Sequence, residues 1–255
     1  MDVIPGNPEK NREKVKEWIA AVCKRENPDT VVLPEMWTTG YTLPELKDIA
    51  DCNGAPTTNF LQNLAKQYKI NIIGGSFANI KGGDVYNSAI AINRKGEILY
   101  QYDKVHLVPM LNEHLYLKAG TTNHTFELEG IKAGLIICYD LRFPELSRQL
   151  AVEGAEILFI VAEWPEARKS HWKYLQIARA IENQLYVVST NCVGQYSGVD
   201  YCGHSMMIDP SGEIIGCGSD FNEETITQVL DLKKVSEIRE KIPVFKSRAP
   251  SVYKS

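Results

Sequence analysis

Long hydrophobic stretches are missing from this sequence. The longest uncharged apolar run is ILFIVA, residues 157–162, far short of the roughly 20 residues a membrane-spanning helix needs. The opening MDVIPGNPEKNREK places no apolar stretch ahead of its charges, so no secretory leader is expected. No stripe is rich in Lys and Arg, and the net charge is −4, which leaves no footprint for nucleic acid or an anionic membrane surface. Six cysteines are scattered without CxxC pairs or finger spacing. That excludes a structural zinc pattern and leads us to expect reduced thiols in the cytoplasm. There is no HExxH, and IIGGSFANIKGGD lacks both the P-loop lysine and a GxGxxG leading into a helix, so it reads as a turn-rich hairpin.

What is present is the composition of an ordinary globular chain: 255 residues, 44% hydrophobic and 24% charged. This is enough to bury one continuous core, and no Pro-, Gly- or Ser-rich linker divides it, so residues 1–255 are expected to form a single domain. Short apolar runs alternate with amphipathic segments. Asn7 and Pro8 start a helix whose apolar face is Val15, Trp18, Ile19 and Val22. TTNFLQNLAKQYKI repeats that spacing with Leu61, Leu64, Ala65 and Tyr68. ARKSHWKYLQIARAIENQ is expected to bury Tyr174, Ile177, Ala178 and Ile181. Between them lie strand-like runs, ending with EIIGCG and TITQVLDL. AINRKGEIL around Gly96 and MIDPSGEII around Gly212 echo one another as hairpins with similar turns, hinting at two similar halves. Interleaved strands and helices favour α/β layers.

The chemistry gathers where strands end. VVLPE closes on Glu35, EILYQYDK on Lys104, and GLIIC on Cys138. A thiol becomes a nucleophile when a base removes its proton. A nearby carboxylate can do this and later return the proton to a leaving amine. An ammonium can stabilise the oxyanion of a tetrahedral intermediate. The backbone N–H of Tyr139, next after the thiol, stands where it could do the same. Together these groups suffice to cut a C–N bond. Each also has a structural reading: Cys138 as packing, Glu35 as a loop flank, Lys104 as a solvated edge. A Cys–His peptidase would need an imidazole beside Cys138, and His106 and His204 are the nominal candidates.

LPEMWTTGY, YDKVHLVP and GLIICYDLRFPEL, in that order, closely resemble the three signature blocks of the nitrilase, or carbon–nitrogen hydrolase, superfamily. The likeness continues through AEWPEARKSHWKYLQIARAIENQLYVVSTNCVG and GHSMMIDPSGEII, covering nearly the whole chain. It implies a four-layer α-β-β-α sandwich. It makes Glu35 the general base, Lys104 the oxyanion stabiliser and Cys138 the nucleophile. Glu113 in MLNEHLYL matches a second glutamate that the family often places beside the triad. The resemblance implies no cofactor, and it implies homodimers or larger assemblies through helices flanking the site. Family members usually begin with a strand ahead of a segment like MDVIPGNPEKN, so the first strand is apparently missing and a strand-like stretch upstream of Met1 is expected. CYDLRFPEL and PEMWTTGY are similar to the omega-amidase branch, which hydrolyses the terminal amide of 2-oxoglutaramate or 2-oxosuccinamate. Arg142 is then the natural partner of a substrate carboxylate, or else a structural partner of Asp140 or Glu145. A nitrilase or an N-carbamoyl amino acid amidohydrolase is the alternative within the superfamily, and a non-catalytic scaffold the alternative outside it.

Overall fold

The computed structural model describes residues 1–253. Helix α1 (Pro8–Glu26) is capped by Asn7, whose side chain accepts from the Lys10 N–H, and it stops at Asn27, which turns to a left-handed φ of 46°. Val15, Ile19 and Val22 form its buried face. Strand β1 (Thr30–Val32) follows, then α2 (Leu46–Ile49), β2 (Asp51–Cys52) and α3 (Thr57–Tyr68). The first sheet is completed by β3 (Asn71–Lys81), β4 (Asp84–Ile92) and β5 (Ile98–Asp103), in the order β1-β3-β4-β5 with β2 beside β3. β1 runs parallel to β3, whereas β3, β4 and β5 form an antiparallel meander.

The second half builds a six-stranded sheet. Its elements are β6 (Phe126–Leu128), β7 (Ile131–Ile137), α4 (Pro144–Val152), β8 (Ile157–Ala162), α5 (Lys169–Asn183) and β9 (Tyr186–Asn191). After a small hairpin of β10 (Gln195–Tyr196) and β11 (Val199–Asp200) come β12 (Met206–Ile208), β13 (Ile214–Cys217) and helix α6 (Lys233–Lys241). The order is β13-β12-β9-β8-β7-β6, with β7, β8 and β9 parallel through the α4 and α5 crossovers. Every residue of β8 is buried, which explains its uninterrupted apolar run: a central parallel strand is covered on both faces. Segment 225–232, expected as a strand, forms none and pairs with no strand among the described residues. Among the described residues no helix is long and apolar enough to cross a membrane.

The layers follow from where the apolar faces meet. Ile19, Leu61 and Leu64 from the helices pack on Ile72, Ile90 and Ile92 to form one outer core. Ile73, Ala89, Ala91 and Tyr102 of the first sheet share a larger core with Leu135, Ile137, Phe159 and Val161 of the second. Helices α4 and α5 pack on the outer face of that second sheet. The result is helix, sheet, sheet, helix, the four-layer sandwich. The two hairpins that echo in sequence also echo in structure. Asn93 Oδ1 accepts from Lys95 and Glu97, and Asp209 Oδ1 accepts from Ser211 and Glu213. Gly96 and Gly212 both take positive φ against a packed helix, α3 in one half and α5 in the other.

A second expectation is corrected. Helix α5 buries Trp172, Gln176, Arg179, Ala180 and Asn183, while Tyr174 and Ile181 are 66% and 51% exposed. Of the expected face, Ile177 packs at the edge of the core, while Tyr174 and Ile181 point outward. β1 has no strand on its outer edge among the described residues. An apolar slot of about 920 Å³ runs beside it, lined by Trp18, Val31, Phe159, Met206 and Leu230. The strand expected upstream of Met1 lies outside the described residues.

Candidate active site

A bulge in β3 sets the first side chain. The register with β4 shifts between Ile73 and Ser76, and Gly75 takes φ +61° with the Pro34 carbonyl only 2.0 Å from where a Cβ would lie. The turn after β1 sits in that gap. Ser76 N–H donates to Pro34 O, Ser76 Oγ accepts from Met36 N–H, and Trp37 Nε1–H donates to Gly74 O. Pro34 and Met36 are thus fixed on either side of Glu35, whose side chain turns into the interior at 0% exposure.

Lys104 follows β5, with its N–H on the Asn87 carbonyl. Cys138 opens a tight turn after β7 at φ +45°. That left-handed geometry is rare for a side chain other than glycine and characteristic of strained functional turns. Asp140 anchors the turn: its carboxylate accepts from the Tyr102 hydroxyl at 2.7 Å, from the Ile137 N–H and from the His106 N–H. Arg179, from the buried face of α5, donates to Leu141 O from the other side. This is the use of the polar face that helical periodicity assigned to solvent.

The three strand ends converge. Lys104 Nζ lies 3.0 Å from Glu35 Oε1, 3.0 Å from Glu113 Oε1 and 2.8 Å from the Tyr41 hydroxyl. Glu35 Oε1 also accepts from Asn87 Nδ2 at 2.8 Å, and Oε2 accepts from the Glu163 N–H at 2.8 Å. Glu113 Oε2 accepts from the Val108 N–H. The Cys138 thiol lies within electrostatic reach of Glu35, Lys104 and Glu113. Burial alone would lower the proton affinity of Lys104, but Glu35 and Glu113 outweigh it and hold the ammonium above its ordinary range. Burial, reinforced by the Glu35 charge, pushes the Cys138 thiol well up against the opposing pull of Lys104. The resting nucleophile is therefore a thiol beside a carboxylate.

At the mouth stands Arg142. Its guanidinium lies 4.6 Å over the Trp164 ring and 5.7 Å from the Tyr139 ring, and its Nη1 donates to His171 Nδ1 at 3.2 Å. Neither structural partner considered for it is used: Asp140 is spent on Tyr102 and His106, and no carboxylate pairs with Arg142 among the described residues. Burial lowers its pKa, with Arg168 opposing the same charge. Such a half-buried cation lacks only an anion. Neither candidate histidine serves as a base for the thiol: His106 bonds Asp140 and His204 bonds Asp220.

Sequence reasoning named Glu35, Lys104, Glu113 and Cys138, and the structure brings all four together. It missed Tyr41, Asn87 and Glu163. Tyr41 stood inside the block LPEMWTTGY, and Asn87 was a polar residue in an apolar strand, a signal that could have found it. Glu163 carried no local signal.

The carbon–nitrogen hydrolase family profile matches residues 3–240. The chain is 43% identical over 254 residues to the 2-oxoglutaramate amidase of Bacillus subtilis (strain 168), covering 99% of this chain and 96% of that one. It is 36% identical over 218 residues to Omega-amidase YafV of Escherichia coli (strain B / BL21-DE3), covering 85% and 83% respectively. Saccharomyces cerevisiae Nit3, a member of branch 10 of the nitrilase superfamily, superposes with a TM-score of 0.89 at 29% identity, covering 96% of this chain and 92% of that one. The chain belongs to the carbon–nitrogen hydrolase family, and it is a hydrolase of non-peptide C–N bonds.

Proposed function

We propose that this hydrolase is an omega-amidase, releasing ammonia from the terminal amide of a small 2-oxo dicarboxylate monoamide such as 2-oxoglutaramate. The observation that carries this reading is Arg142, a cation without an anion, stacked on Trp164 beside the nucleophile. The names of the relatives above agree with it.

In the proposed cycle Glu35 takes the Cys138 proton as Sγ attacks the amide carbon. Lys104 Nζ and the Tyr139 N–H stabilise the oxygen that becomes negative. Glu35 then protonates the departing nitrogen, the C–N bond breaks and ammonia leaves a thioester on Cys138. Water, deprotonated by Glu35, attacks the thioester carbonyl. The carboxylate product leaves and Sγ recovers its proton. Glu113, sharing Lys104 with Glu35, holds the ammonium in place, and Tyr41 bridges the two carboxylates.

Residues 1–255 are proposed to act as one domain, on the strength of a core shared by both sheets. The outward apolar face of α5, with Tyr174 and Ile181, supports a homodimer. Six free cysteines, with a thiol as nucleophile, fit the reducing cytoplasm.

The test is an ammonia-release panel of 2-oxoglutaramate, a neutral amide, a nitrile and a carbamoyl amino acid, run on wild type and Arg142→Leu. Losing a charge-assisted hydrogen bond costs about 1.5–3 kcal/mol, or roughly 10- to 150-fold. The variant should lose that factor in kcat/KM on 2-oxoglutaramate and little on the neutral amide. Equal losses on both would remove Arg142 from the binding site and the omega-amide from the assignment.

A further inference from the structure

Behind Glu35 lies a carboxyl that the cycle above does not use. Glu163 follows β8 and is 5% exposed. Its backbone N–H holds Glu35 Oε2 at 2.8 Å. Its own Oε1 is approached by the Cys192 thiol at 3.6 Å, and Oε2 meets no hydrogen-bond partner of standard geometry among the described residues, although the Tyr201 hydroxyl faces the same carboxyl. No Lys, Arg or His forms an ion pair with it among the described residues. The same Cys192 thiol also faces the Glu35 carbonyl, so Glu163, Cys192 and the Glu35 backbone form one sealed cluster.

The charges around it are already out of balance. Lys104 is one ammonium serving two carboxylates, Glu35 and Glu113. A third buried anion would find no cation of its own, and burying an unpaired carboxylate is among the costliest states in a protein. A neutral carboxylic acid needs no such partner, can accept from Cys192 at one oxygen and keeps a proton on the other.

We propose that Glu163 is a positioning residue held as a neutral acid directly behind Glu35, and that this neutrality reserves Lys104 for Glu35 and Glu113 and fixes the upper pH limit of activity. The groups facing it are Glu35, Lys104, Cys192 and Tyr201, with the N-terminal ammonium beyond Cys192. Burial first and the Glu35 charge second raise its proton affinity well above the ordinary carboxylate range, against smaller opposing contributions from Cys192, Tyr201 and Lys104. The sign follows. Below its pKa Glu163 is neutral and the cluster intact; as pH rises through that value an anion appears beside Glu35, competing for Lys104 and repelling the base. Activity declines on that limb, whereas the folded-state stability contributed by the neutral acid is lost earlier, from the ordinary carboxylate pKa of the unfolded chain up to the raised folded value, and levels off above it.

The inference rests on Glu35 being the base, and its test separates the two. Infrared spectra of the wild-type enzyme at neutral pH should contain a protonated-carboxyl band that disappears on alkaline titration, with the same midpoint as the alkaline limb of kcat/KM. That band should persist in Glu35→Gln, whose loss of turnover tests the base independently. In Glu163→Gln the band should be gone and the alkaline limb displaced to higher pH, whatever the maximum rate. A wild-type spectrum without the band at neutral pH, or a folded Glu163→Gln whose alkaline limb has not moved, would overturn the proposal. A side chain that only fills space would lower the rate at every pH and leave the limb in place.

Discussion

At the scale of single residues the site is an exercise in sharing one positive charge. Lys104, Glu35 and Glu113 are each 0% exposed, and breaking a buried ion pair by removing one partner typically costs about 3–5 kcal/mol. Lys104→Met should therefore fail twice. Turnover should fall by roughly 100- to 1,000-fold through the lost oxyanion contact, and thermal unfolding should come markedly earlier because two carboxylates are left facing each other. Glu35→Gln keeps the shape and relieves that crowding, so it should lose a hundredfold or more in the chemical step while melting near the wild type. Activity assays paired with calorimetry separate the two variants, and equal melting losses in both would contradict the shared-cation geometry. The positions of Glu35, Lys104 and Cys138, with the roles proposed for them, were legible because each follows a strand inside a distinctive block, whereas Glu113 lies in the connection between β5 and β6. Tyr41 and Glu163 were not legible, since a hydrogen bond between residues 6 or 128 apart in sequence leaves no local pattern.

At the scale of elements, the bulge in β3 is what makes the Glu35 turn possible. Gly75→Ala would put a methyl against the Pro34 carbonyl and require a side chain at φ +61°. Strain of that kind costs about 1–3 kcal/mol. The expected outcome is a lower melting temperature together with a fall in kcat, since Pro34 directly precedes the proposed base. Unchanged kcat in a destabilised Gly75→Ala would mean the turn does not steer Glu35. The two Gly-containing hairpins were readable because Asn93 and Asp209 bond their own turns, a local interaction. The orientation of α5 was not. Periodicity reports that a helix has an apolar stripe but not which side meets the core, and here Arg179, Gln176 and Asn183 are buried with backbone partners. Segment 225–232 has a strand-like composition, but pairing depends on a free sheet edge that sequence alone does not reveal.

At the scale of the whole molecule, two sheets bring three distant strand ends to one point, and Tyr174 and Ile181 are left exposed on the outer face of α5. If that face is the proposed contact between two copies, light scattering should give a mass twice that of the chain, and Tyr174→Asp should return it to monomer. A wild-type monomer at working concentration would contradict the contact. The central claim is narrower: Cys138 carries the acyl group. Its most direct test is rapid-quench mass spectrometry during turnover of 2-oxoglutaramate, followed by peptide mapping. The account predicts an adduct equal to the substrate less ammonia on the Cys138 peptide of the wild type, and neither adduct nor turnover in Cys138→Ala. An adduct on Cys192 or Cys202, or ammonia release surviving in Cys138→Ala, would contradict it.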